Sequence, residues 1–136
     1  MNFFDKLSHS QSKNKSLVCV GLDTDSAKIP KFLLSKSDPI FAFNKAIIDA
    51  TADLVSAYKP QVAFYAAEGI KGLDALIKTV KYIQKTYPQI PVILDAKRDD
   101  IGNTAEKYTQ EVFDVIGVDA VTVNPYLGLD SLEPFL

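Results

Sequence analysis

The sequence predicts an α/β fold, a parallel sheet assembled from βαβ units, and three observations carry that prediction. Short apolar runs at residues 16–22, 59–65, 90–95 and 119–124 alternate with longer stretches whose apolar residues recur at helical spacing. The run at 90–94, Ile-Pro-Val-Ile-Leu, is apolar throughout, as strands covered on both faces are. Two of the runs end in charge, Asp23-Thr24-Asp25 after the first and Asp95-Ala96-Lys97-Arg98-Asp99-Asp100 after the third. Strict alternation of strand and helix implies right-handed crossovers, and ligands of such sheets bind at the carboxyl ends of the strands.

Residues 2–7 place Phe3, Phe4 and Leu7 on one helical face, so a short helix should close one end of the core. The polar stretch 8–14 reads as a linker in which His9, the only histidine, is solvated, which argues against a His-dependent triad. After the first strand, residues 26–37 read as a long loop with one helical turn at most. Asp38-Pro39 resembles an N-cap followed by proline at the first helical position, and Ile40, Phe43, Ile47, Ile48, Leu54 and Val55 extend a helical pattern to Tyr58. Within it, Asn44 and Lys45 read as a solvated face. Lys59 stands at the start of the second strand and, on spacing alone, is a surface lysine. Residues 68–87 form the next helix on a stripe that includes Ile70, Leu73, Leu76, Ile77, Val80 and Ile83, and Pro88 stops it. Residues 103–116 form a further helix ended by Gly117, and residues 129–136 look like the opening of a fourth crossover. Four such strands make either a small open sheet or the first half of an eight-stranded barrel of about 250 residues.

Composition fits one soluble core: 47% of the 136 residues are hydrophobic and 24% charged, which argues against disorder. The 15 Lys and Arg are scattered and the net charge is −2, so no nucleic-acid partner is expected. Cys19, the single cysteine, sits in an apolar run and is expected to be a buried inert thiol, which leaves no disulfide and no cysteine metal cage. Residues 1–7 lack the basic and apolar regions of a signal peptide, and no run reaches the roughly 18 residues of a membrane span. The expected location is cytoplasmic, away from any membrane.

The charged cluster after the third strand carries the chemistry. Strand alternation projects Asp95 and Lys97 to the same side and leaves Arg98 and Asp99 in the loop. A paired acid and ammonium hold each other ionised, and a lysine so placed can donate a proton to a ligand. A solvated, salt-bridged turn is the plainer alternative, and the position after a buried strand favours a site. Gly102-Asn103-Thr104 opens a helix whose free N–H groups favour anions, with Asn103 or Thr104 available as a cap. There is no Gly-rich phosphate loop, no cluster of metal ligands and no Gly-x-Ser-x-Gly, so no cofactor is expected.

Residues 95–104 fit Asp-x-Lys-x-x-Asp-Ile-Gly-Asn-Thr, and the chain here resembles the orotidine 5'-phosphate decarboxylases. The flanks Val20-Gly21-Leu22-Asp23, Phe43-Asn44-Lys45-Ala46-Ile47, Ala57-Tyr58-Lys59-Pro60 and Val123-Asn124-Pro125-Tyr126-Leu127-Gly128 are similar to the bacterial subgroup with the longer chain. The resemblance implies a (β/α)8 TIM barrel, of which residues 1–136 form a single α/β domain covering about the first four βα units, the N-terminal half. It implies cofactor-independent conversion of a nucleotide substrate, orotidine 5'-phosphate, to UMP by a homodimer with shared active sites. Lys59 and Asp95 would be the first charge pair, Lys97 the proton donor, and Asp100 the second acid, supplied from the neighbouring subunit. Asp23 and Thr104 would hold ribose hydroxyls and Ile101 would line the pyrimidine pocket. Lys59 then belongs at the active end of its strand, which must begin earlier than spacing suggests or be short.

Asp99 stands where that subgroup usually has glycine and is expected to add a surface charge. The family's phosphate-gripping arginine and its groups for the pyrimidine edge come from strands five to eight, so the chain is expected to be a piece of a protein about twice as long. Two other readings stand beside this one. A magnesium-dependent sugar-phosphate decarboxylase or aldolase of the same barrel suprafamily shares Asp-x-Lys-x-x-Asp, but the Ile101-Gly102-Asn103-Thr104 run argues against it. The other is a catalytically silent half-barrel that pairs its open sheet edges with a second copy.

Overall fold

The computed structural model describes residues 1–136 and shows four short parallel strands with helices between them. Strand β1 (Cys19–Gly21) pairs with β2 (Ala57–Lys59), and β3 (Ile93–Arg98) pairs with β4 (Ala120–Val123). Parallel bridges from Tyr58 to Val92 and from Gln61 to Asp95 join the two pairs, which sets the order β1-β2-β3-β4. Chain order equals spatial order, as in a partial (β/α) barrel. No helix is long and apolar enough to cross a membrane.

Helix α1 (Phe3–Asn14) is twice the length that its apolar residues suggest. Asn2 caps it by accepting from the Asp5 N–H, and Lys15 ends it at φ 47°. Its polar second half is helical because it is tied to the amino-terminal edge of the sheet. Ser10, fully buried, donates to the Ser56 carbonyl at 2.5 Å, and the Asn14 amide donates to the Ala52 and Val55 carbonyls at 3.0 and 2.7 Å. Lys6 reaches Asp119 at 2.5 Å, and Asp119 in turn accepts from the Val92 N–H. His9 on this helix is exposed, as expected.

Helix α2 (Pro39–Thr51) begins as the sequence predicts, with Asp38 accepting from the Phe41 N–H and Pro39 in the first turn. It ends at Thr51 and not at Tyr58. Leu54 and Val55 continue the helical spacing by coincidence; Val55 is fully buried at the entry to β2, and Tyr58 is a strand residue whose hydroxyl donates to the Ile48 carbonyl. The run predicted as a strand at 59–65 is mostly helix α3 (Val62–Ala66), because Gln61 caps it and Val62 and Tyr65 face the core three residues apart. Helix α4 (Gly69–Thr86) buries Ala75, Leu76, Val80 and Ile83, but Ile70 and Leu73 face outward. Gly72 explains this: a Cβ there would lie 2.0 Å from the Tyr65 carbonyl oxygen, so that face turns inward and its neighbours turn out. Helix α5 (Gly102–Thr109) continues as a π-helical segment to Ile116, and Gly117 closes it at φ 83°. Neither Asn103 nor Thr104 caps it; the cap position is Ile101, without a side-chain bond. Helix α6 (Leu129–Leu132) follows β4.

Cys19 is exposed on β1, against expectation, because that strand has a neighbour on one side only. Asn44 also departs from its predicted solvated face. It is fully buried between α2, α3 and α4, donating to the Tyr65 hydroxyl at 3.0 Å and the Thr79 hydroxyl at 2.9 Å and accepting from Thr24. Tyr65 in turn donates to the Leu22 carbonyl at 2.6 Å. Each polar group of the network therefore has a partner, and the network pins both sides of Asp23. Asn44→Leu leaves these hydroxyls without a common partner and is expected to destabilise the fold by about 2–3 kcal/mol. A lowered urea midpoint at unchanged slope checks this; a midpoint equal to that of the unaltered protein would count against the network.

Candidate active site

The carboxyl ends of β2, β3 and β4 bring three side chains onto one carboxylate. Lys59 Nζ lies 2.8 Å from Asp95 Oδ2, Lys97 Nζ lies 2.5 Å from Asp95 Oδ1, and the Thr122 hydroxyl donates to the same Oδ1 at 3.1 Å. Lys59 is the last residue of a strand only three residues long, so it stands at the carboxyl end of that strand and not at its start. Its backbone is fixed from both sides, with the Leu22 N–H on the Lys59 carbonyl and the Asp95 N–H on the Pro60 carbonyl.

Lys97 reaches Asp95 by a route other than strand alternation. The β3–β4 register runs Ile93–Ala120, Leu94–Val121 and then Arg98–Val123, so three residues of β3 stand opposite Thr122 alone. Lys97 lies in this bulge at φ 49°, a left-handed conformation that costs a lysine about 1–2 kcal/mol. Bulges next to sites commonly re-aim a side chain. Here the bulge folds the amine back over the acid two residues before it.

The electrostatics follow from these contacts. Lys59 first, then Lys97 and Thr122, hold the Asp95 carboxyl at about 2, against a desolvation that acts the other way. The bonded carboxylate, aided by the more distant charge of Asp23, raises Lys59 above the ordinary amine range. Two ammoniums and one carboxylate make a net positive patch. The Lys97 side chain is 64% exposed against 33% for Lys59, so its amine is the one open to an incoming anion.

The other residues named from the sequence make no hydrogen bond or ion pair with this cluster. Asp23 is exposed just after β1. Asp100 is partly buried, accepts from the Ile101 N–H at 2.8 Å and pairs with no lysine of this chain. Ile101 is 63% exposed, and Thr104 is exposed in the first turn of α5. A cavity of about 380 Å³ adjoins the Asp23 loop between Leu22, Phe43 and Phe64 but contains none of the clustered charges.

Arg98 is the last residue of β3 and not a loop residue; it makes two bonds of 2.9 Å to Glu111 and stacks on Tyr108 at 4.5 Å. Asp99 is partly buried, with a carboxylate oxygen shielded and without a partner, so it is more than an added surface charge. Thr122 escaped the sequence reading, because a threonine within a strand is an ordinary strand former.

A parallel α/β half-barrel with a lysine–carboxylate cluster at its strand ends belongs with the (β/α) barrel proteins, whose sites lie on that face. The orotidine 5'-phosphate decarboxylase / HUMPS family model matches residues 16–136, and the chain belongs to that family. It is 62% identical over 124 residues to the orotidine 5'-phosphate decarboxylase of Parabacteroides distasonis, an alignment covering 91% of this chain and 44% of that one. It is 56% identical to the same enzyme of Cellvibrio japonicus, over 99% of this chain and 50% of that one. The structure of Leishmania donovani OMP decarboxylase superposes with a TM-score of 0.83 at 36% identity, covering 99% of this chain and 49% of that one. The chain thus spans about half the length of the curated relatives it matches.

Proposed function

We propose that the protein carrying this chain decarboxylates orotidine 5'-phosphate to UMP in pyrimidine biosynthesis without a cofactor, as a cytoplasmic homodimer, and that residues 1–136 are the first half of its barrel. The carrying observation is the carboxylate of Asp95 held between Lys59 and Lys97 at the strand ends. When the C6–carboxylate bond breaks, CO2 leaves and its electron pair stays on C6, which has no delocalised sink. Fixed charges aimed at that carbon stabilise the developing anion without reorganising. Lys97 then gives one Nζ proton to C6 and recovers it from solvent, while Asp95 and Lys59 hold its amine in line.

Asp23 and Thr104 take ribose hydroxyls in this reading, and Ile101 lines the pyrimidine pocket. Asp100 serves the partner's site, which accords with its lack of any ion pair within its own chain and with the exposure of its neighbour Ile101. Binding energy from the remote phosphate supports the chemistry at C6.

Mixing the whole protein with orotidine 5'-phosphate should lower the ultraviolet absorbance of the pyrimidine at the same rate with and without a chelator. A rate that disappears on chelation, or no loss of absorbance at all, would overturn the proposal.

A further inference from the structure

We propose that Thr122 is a positioning residue for Lys97: its hydroxyl ties the β3 bulge to the Asp95 carboxylate and so fixes where the Lys97 amine points. The kinetic half of this inference rests on the proposed decarboxylation; the structural half does not.

The Thr122 oxygen accepts from the Ala96 N–H and from the Lys97 N–H, each at 3.1 Å. A hydroxyl has two lone pairs and one proton. With both lone pairs facing backbone donors, the proton has one place to go, and Asp95 Oδ1 lies 3.1 Å away. That oxygen is also the one that holds the Lys97 amine. One hydroxyl therefore touches both ends of the Lys97 residue's constraint, the backbone N–H where the side chain departs and the carboxylate oxygen where its amine lands.

Thr122 is also the single β4 residue opposite three of β3, so its hydroxyl fills the place a regular ladder would give to a carbonyl. No other side chain bonds the Lys97 backbone, where the left-handed φ is set. Without the hydroxyl, two backbone donors and one carboxylate lone pair lose a partner together, and the bulge is free to relax toward a regular strand.

The test uses Thr122→Val, which keeps the shape and removes the hydroxyl, and Thr122→Ser, which keeps the hydroxyl, both in the whole protein. Thr122→Ala replaces the valine variant if that side chain prevents folding. In the valine variant, amide hydrogen exchange at Ala96 and Lys97 should accelerate at least about tenfold while buried core amides hold their rates, and serine should restore the slow exchange. The valine variant should lose about 10- to 100-fold in kcat with KM within about threefold, and serine should recover it, because a displaced catalytic group costs the chemical step and not ground-state binding.

Unchanged exchange at Ala96 and Lys97 in the valine variant overturns the inference, and so does faster exchange with undiminished kcat. If the unaltered protein fails to decarboxylate orotidine 5'-phosphate, the functional reading falls and the exchange comparison alone decides the role of Thr122.

Discussion

Lys97→Ala is expected to lower kcat by at least about a thousandfold while leaving the fold intact. Proton donation by a placed side chain contributes roughly 10²- to 10⁴-fold, and removing a charge aimed at a developing anion costs a further ~10²-fold or more. The same amine supplies both in the proposed mechanism, so a single truncation removes both together. The fold should survive because the Lys97 side chain is 64% exposed and contributes little packing. Alanine inherits the left-handed backbone at no extra steric charge, since it has only the Cβ that lysine already carries. Steady-state decarboxylation checks the first claim and thermal melting the second. A Lys97→Ala protein that turns over at the original rate would remove the proton-donor assignment.

Asp95→Asn is the second large effect, and it shows in both activity and stability. The neutral amide still occupies the space but no longer balances two ammoniums, and kcat should fall by about 10²-fold or more as the charge array loses its centre. The stability effect depends on pH in a defined direction. The Asp95 carboxyl titrates at about 2 in the folded protein, below the ordinary carboxylate value, because Lys59 and Lys97 bond its charged form. Its contribution is therefore complete above about pH 4 and is lost as the pH falls from there through about 2. A shift of this size corresponds to at most about 2.5 kcal/mol at neutral pH, and solvent reaching this open face lowers the figure. Denaturant midpoints should separate the two proteins at pH 7 and converge toward pH 2. Midpoints that stay equally far apart over that range would show that the asparagine acts through packing instead.

The parts of the molecule that could be read from sequence are those where a local pattern and the tertiary role coincide. Asp95 and Lys97 stood out because charge follows an apolar run abruptly, and the structure brings their side chains together. Strand alternation is not what joins them, since the contact comes from a bulge that no period-two argument contains. Lys59 could not be found from periodicity. A strand of three residues is too short to show alternation, and the Gln61-capped helix behind it mimicked the strand itself.

Asn44 left a signal that spacing could have shown: it sits four residues from both Ile40 and Ile48, which are buried with it on one face of α2. Cys19 and the outward Ile70 depend on what lies beside them in space, which a single sequence does not state. Thr122 acts by three bonds to residues more than twenty positions away, and only the folded register brings them together.

The left-handed backbone at Lys97 has a further consequence, for which residue selection would favour there. Glycine relieves the conformational cost of φ 49° and is the residue that stability alone prefers at such a position. Lysine remains the better residue only while a demand for its amine outweighs about 1–2 kcal/mol of lost stability. A lineage of this chain released from that demand would drift toward glycine or asparagine at position 97 before its core changed. The identity of that one residue would therefore record whether a descendant still needs an amine at this place in the fold.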